Sequence, residues 1–147
     1  MIPAWGRILA LDWGERRFGI ALTDETQTLA SPLTTLTRRP GKRFPMPRFL
    51  ELVGIHHPVG VVVGLPLTLE GGETDAARQA RALAELIARR TTLPVEMHDE
   101  RFTTSRAQLA IRELGGSVEG RRDEVDALAA TVLLQHFLEW RRNQPAP

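Results

Sequence analysis

RILALDWGERRFGIALT (Arg7–Thr23) holds two short apolar runs, RILALD and FGIALT, on either side of the polar, glycine-bearing WGERR. Apolar runs of this length, bounded by glycine and charge, predict two strands of a hairpin with WGERR at its tip. A third run, Leu29–Leu36, contains Pro32. Proline cannot donate to a sheet ladder, so this strand is expected at an edge. Three strands in immediate succession predict an antiparallel meander.

Beyond the meander the pattern changes. RRPGKRFPMP (Arg38–Pro47) is rich in proline, glycine and charge and reads as a connecting loop. Met46, Phe49, Leu50 and Val53 then fall at helical spacing, and Pro58 closes that helix after His56 and His57. VGVVVG is a continuous β-branched run of the kind a strand buried on both faces shows. Ala76, Ala80, Leu83, Ala84 and Ile87 form one stripe of a helix that opens near Glu73. Pro94 precedes a further strand, VEMH. Thr103 or Thr104 is the expected cap of the next helix, with Ala107, Ala110, Ile111 and Leu114 facing inward and Gly115 and Gly116 as its stop. The last element, Asp123 to Trp140, is apolar nearly all round (Val125, Leu128, Ala129, Val132, Leu133, Leu134, Phe137, Leu138), which predicts that it is mostly buried. The order βββαβαβαα, with right-handed crossovers that return parallel strands, predicts an α/β fold. Its sheet is mixed and five-stranded, an antiparallel meander plus parallel strands, flanked by helices. A length of 147 residues suits one domain over 1–147.

Composition narrows the chemistry. There is no cysteine, which removes disulfides, thiolate nucleophiles and thiolate metal sites and leaves oxygen and imidazole as the available ligands. No run approaches the length of a membrane span and the start lacks a secretory pattern, so a soluble, cytoplasmic protein is expected. The net charge is only +1, but Lys42 is the single lysine among 19 basic residues. Arginine suits bidentate contact with phosphate, and a near-neutral total leaves room for a local basic face.

Three carboxylates stand at the ends of core elements. Asp12 ends the first strand, Glu100 leaves the VEMH strand, and Asp126 lies in the first turn of the last helix. Each also has a structural reading. Asp12 before Trp13 and Gly14 suits a turn, Asp99 and Glu100 suit a helix N-terminus, and Asp126 lies three residues after Asp123 in a capping-box-like arrangement. If the three converge, their mutual repulsion is costly and a divalent cation removes it. Hard oxygen donors favour Mg²⁺ or Mn²⁺ over zinc, and two such ions about 3.5–4 Å apart can activate water and stabilise the leaving oxygen of a phosphodiester. Arg78 and Arg81, one turn apart on a polar helix face, are candidates for phosphate contact. His56 and His57 suit a helix C-terminus, and His98 reads as a core histidine, with a proton shuttle or a group supporting the neighbouring carboxylates from behind as the alternatives. GLPLTLEGG (Gly64–Gly72) leaves a central strand as a loop able either to approach a nucleic-acid backbone or simply to turn the chain.

Four ordered stretches resemble one family. LALDWGERRFGIALTD, VVVGLPLTLEGGE, DERFTT and VDALAATVLLQ are similar to successive motifs of the YqgF/RuvX family. The resemblance implies a ribonuclease H-like fold and a nuclease activity, either maturation of the 5′ end of pre-16S ribosomal RNA or resolution of Holliday junctions. It also implies that Asp12, Glu100 and Asp126 form a catalytic, metal-holding triad with Mg²⁺ or Mn²⁺, with Arg101 of DER joining Arg78 and Arg81 as a nucleic-acid contact. The expected partner is RNA or branched or single-stranded DNA, and the chain a monomer or homodimer. Trp13 departs from the smaller residue expected there. DWGERRFG also resembles the phosphate loop of sugar kinases, which clamp nucleotide between two such domains where this chain has one. A non-catalytic RNA-binding ribosome-assembly or transcription factor is the remaining alternative.

Overall fold

The computed structural model describes residues 1–101 and 122–145. The helix expected from Thr103 or Thr104 to Leu114, with its stop at Gly115 and Gly116, lies outside them, as does the capping role of the Asp123 side chain.

The meander forms as its sequence predicts: β1 (Ile8–Asp12), β2 (Arg17–Thr23) and β3 (Ala30–Thr37) pair antiparallel in succession. Then come α1 (Met46–His56), β4 (Gly60–Leu65), α2 (Asp75–Thr91), β5 (Val95–Asp99) and α3 (Arg122–Arg142). The sheet order is β3-β2-β1-β4-β5, with β4 parallel to both β1 and β5. Pro32 sits in the edge strand, where the register slips between Ile20 and Ala21 so that Leu33 is the extra residue of a bulge. Every residue of β4 is buried, as expected of a central strand covered on both faces.

Strand alternation divides the core in two. Leu9, Leu11, Phe18, Ile20, Val61 and Val63 face α1 and α2, where Phe49, Leu52, Leu83 and Ile87 cover them. Ile8, Ala10, Ala21 and Val62 face α3 and meet Ala130, Leu134, Phe137 and Leu138. The residues on the α3 side are mostly small, so that helix lies close to the sheet. Helix α2 starts from Thr74, whose hydroxyl accepts from the Ala77 N–H at 2.9 Å and donates to the Pro66 carbonyl at 2.8 Å. Its buried stripe begins at Ala77 rather than Ala76, one position later than the spacing predicts. Helix α3 buries one face only. Val125, Leu128, Ala129 and Val132 are half-buried, because the opposite side of the helix does not face the sheet. Among the described residues no helix is long and apolar enough to cross a membrane.

Candidate active site

Alternation along β1 turns Asp12 to the α3 face, directly opposite Gly19 of β2. Gly64 lies on the same face of β4, two residues beyond Val62. Glu100 follows β5, its N–H donating to the Leu65 carbonyl at 3.3 Å. Asp12, Gly64 and Glu100 thus stand together at the carboxyl ends of three parallel strands.

Two glycines make this convergence possible. A Cβ on Gly64 would lie 2.4 Å from Glu100 Oε2 and 3.0 Å from Leu133 Cδ2, so the Glu100 side chain rests on bare backbone as it reaches across β4 toward β1. A Cβ on Gly19 would lie 1.8 Å from the Asp126 carbonyl oxygen, so α3 sits on the backbone of β2 at that point.

The Asp12 and Glu100 side chains share a hydrogen bond, which two carboxyls can form only with a proton between them. Loss of hydration on burial, reinforced by the charge of Asp12, pushes Glu100 up to about 10. Burial raises Asp12 as well, opposed by the bond from Glu100 and assisted by the charge of Asp126. Asp126 is therefore within electrostatic reach of Asp12, but its Oδ2 accepts from Arg17 Nε at 2.8 Å in a half-buried ion pair. Among the described residues no group of three or more His, Asp or Glu side chains is arranged to hold a metal ion. The chain joins Asp12 to Glu100 and leaves Asp126 beside them, turned to Arg17.

The three arginines singled out from the sequence all engage acids. Arg78 pairs with Asp75 one turn away, Arg81 Nε meets Glu73 Oε1 at 2.8 Å, and Arg101 Nε meets Asp99 Oδ2 at 2.6 Å. Arg101 also donates to the Leu69 carbonyl at 3.2 Å, tying β5 to the loop after β4. His98 is held in the core. Its Nε2 is 2.7 Å from His136 Nδ1, and its ring packs against Phe137 and Trp140. Burial and the neighbouring His136, opposed by Asp99, lower it to about 4 and keep it neutral. Arg17, Gly19 and Gly64 are the site residues that sequence reasoning missed. The available signal was period two: Arg17 lies two positions before Gly19 and so on the same face of its strand, and isolated strand glycines mark close approach.

The profile of the family described as RuvX, Holliday junction resolvase, matches residues 6–140. The chain belongs to the RuvX family. It is 38% identical over 138 residues to a Chloroflexus aurantiacus protein named "Putative pre-16S rRNA nuclease", covering 94% of this chain and 90% of that one. Proteins of the same name from Koribacter versatilis (40% over 136 residues; 92% and 88% covered) and an Anaeromyxobacter species (43% over 141 residues; 92% and 98%) are similar throughout. Among solved structures it resembles Thermus thermophilus RuvC in complex with Holliday junction substrate, with TM-score 0.59, 18% identity, and 94% and 96% of the chains covered. The yeast mitochondrial Holliday junction resolvase Ydc2 gives TM-score 0.57 at 12% identity, with 97% and 81% covered. At that identity the likeness shows the fold, and the RuvX chain is ribonuclease H-like.

Trp13, unexpected at its position in a RuvX protein, has a packing role: its ring meets Phe18 edge-on at 6.4 Å and covers the end of the core beside Asp12.

The paired carboxyls make the stability of the RuvX chain pH-dependent in a defined direction. Both acids are raised in the folded state, so between the ordinary carboxyl range and about 10 the folded chain binds more protons than the unfolded one. Their contribution is fully present at low pH and is lost as pH rises. In EDTA, where no divalent cation competes, the wild type should lose stability between pH 7 and pH 9.5, a range above the titration of His98. Glu100→Gln should be flatter and melt higher at pH 9.5 by about 4–8 °C, corresponding to about 2 kcal/mol. Thermal unfolding followed by circular dichroism checks this. Identical pH profiles for the two proteins would mean that the carboxyls are not a proton-sharing pair.

Proposed function

We propose that the chain is a cytoplasmic, metal-dependent nuclease that hydrolyses phosphodiesters of nucleic acid, with the 5′ end of pre-16S ribosomal RNA as its principal substrate. The observation that carries this reading is the buried Asp12–Glu100 pair at the carboxyl edge of the parallel strands. The nuclease name borne by relatives at about 40% identity supports it. Resolution of Holliday junctions is the second reading, favoured by the likeness to RuvC.

The donor set fits Mg²⁺ or Mn²⁺. Two carboxyls that must share a proton in the bare chain offer hard oxygen ligands whose repulsion a divalent cation would relieve. Asp12 and Glu100 are the groups that would hold it, and Asp126 would join them by exchanging its bond to Arg17. A bound ion supplies Lewis-acid polarisation of the phosphodiester and a more acidic water. The chain's own residues prepare for it. Asp12 and Glu100 would have to give up their shared proton to hold an ion, so occupancy would rise with pH. Arg17 holds Asp126 beside the pair through the 2.8 Å bond from its Nε to Asp126 Oδ2. Gly19 and Gly64 allow the helix and the glutamate to close over the strand ends.

The test is cleavage of three substrates, an RNA carrying the precursor 5′ end of 16S, a single-stranded DNA and a four-way DNA junction, each in Mg²⁺, in Mn²⁺ and in EDTA. The expected result is cutting that requires either metal and is fastest on the RNA. Cutting that persists in EDTA, or no cutting of any substrate with either metal, would overturn the assignment.

A further inference from the structure

We propose that the turn Arg39–Lys42, with Arg16 and Arg43 beside it, is the surface that grips the substrate's phosphodiester backbone next to the cleavage site. The inference rests on the nucleic-acid reading above and names the part of the protein that makes the contact.

The sequence RPGK sets the geometry of this turn. Proline fixes φ for its second residue, and Gly41 takes the left-handed φ of +73° required at the third. The Lys42 N–H closes the turn on the Arg39 carbonyl at 3.0 Å. Nothing stands within 4 Å of where a Gly41 Cβ would be, so the tip is open on its outer side. Arg16, Arg39, Lys42 and Arg43 are all exposed.

The turn is anchored at both ends, which distinguishes it from a loose basic loop. At its start, the Arg38 N–H donates to the Arg16 carbonyl at 2.7 Å, and the Arg38 guanidinium donates to the Glu15 carbonyl. At its end, Phe44 packs edge-on against Phe18 at 4.8 Å and against Phe49 at 5.7 Å. Its pre-set shape means that little conformational freedom is lost on binding.

The anchors also lead directly to the carboxyls. Thr37, one residue before Arg38, pairs with Arg17, and Arg17 binds Asp126. Phe18, under Phe44, is covered by Trp13, the neighbour of Asp12. The end of β3 and the start of β2 lie at the same end of the sheet as the end of β1, so a chain of phosphates with one member at Asp12 and Glu100 would continue along that end toward the turn. Arg78 and Arg81 are less suited, since each is already matched by an acid of its own helix region.

The test is binding in EDTA of a single-stranded RNA and of a four-way DNA junction over a range of salt. The proteins are the wild type, the triple variant Arg39→Gln/Lys42→Gln/Arg43→Gln, and Arg89→Gln/Arg90→Gln. The last pair lies in the final turn of α2, at the opposite edge of the sheet, and serves as control. Each phosphate contact contributes about 0.7 to the salt slope for single strands and about 0.9 for duplex. The triple variant should therefore lose about 2 from the slope of log Kd against log salt and bind at least about 10-fold more weakly, while the control binds as wild type. A loss confined to one substrate assigns the grip to RNA or to DNA. An unchanged slope in the triple variant, an equal loss in the control, or no binding of either substrate by the wild type would overturn the proposal. Because the assay needs no cutting, a slope that falls in a protein that cuts nothing would retain the grip and remove only the nuclease reading. Cutting with an unchanged slope would do the reverse.

Discussion

Gly19→Ala should destabilise the chain by about 3 kcal/mol or more, lowering the melting temperature by about 6–12 °C. The added Cβ would lie 1.8 Å from the Asp126 carbonyl oxygen and 2.4 Å from its carbonyl carbon, so it meets backbone that cannot turn aside. Relief requires α3 to lift from β2, yet the same helix packs Ala130, Leu134 and Phe137 onto Ile8, Ala10 and Val62 of the adjacent strands. Gly64→Ala provides the contrast. Its Cβ would meet the ends of the Glu100 and Leu133 side chains, which can swing away. That variant should keep most of its stability while displacing Glu100 from Asp12. Urea denaturation measures both changes, and a Gly19→Ala protein as stable as wild type would mean that α3 does not rest on β2 at Asp126.

Most of the fold is legible in the chain because hydrophobic period and turn residues are local signals. FGIALT, with glycine at its second position, and VGVVVG each announce a strand. Pro32 announces an edge, and the edge and its bulge are where β3 is found. The last helix shows the limit of local reading. Its apolar residues surround the axis, and the sequence alone does not say that Ala127, Ala130, Leu133, Leu134 and Phe137 face the sheet while Leu128 and Val132 stay half-buried. Which face wins depends on the small residues Ala10, Gly19, Ala21 and Gly64, spread over three strands that must first pair.

The candidate site is legible to the same degree. Asp12 and Glu100 are visible as acids at strand ends, and their pairing follows once β4 lies between β1 and β5 with Gly64 at the crossing point. The partner of Asp126 is not visible, because Arg17 and Asp126 are 109 positions apart and only the fold brings them together. Arg78 illustrates the opposite error. A basic helix face suggests phosphate, but Asp75 three residues earlier already supplies a partner, a relation readable from spacing alone.

Asp12→Asn should lower the rate of metal-dependent cleavage at least about 10³-fold, which is about 4 kcal/mol of barrier at ~1.36 kcal/mol per tenfold. Asparagine nearly matches aspartate in shape and can donate to Glu100, so the pair's hydrogen bond and the fold should survive while one anionic oxygen ligand is lost. The substitution also removes one of two repelling acids, so the variant should be no less stable than wild type in EDTA. A general folding defect would give the opposite combination, with activity and stability falling together. The most direct measurement is therefore the initial rate of cutting of the precursor RNA in Mn²⁺ by wild type and Asp12→Asn at matched folded concentrations. A rate reduced a thousandfold or more in a folded variant is the expected result, and equal rates would contradict the assignment of Asp12 and Glu100 as the groups that hold the metal.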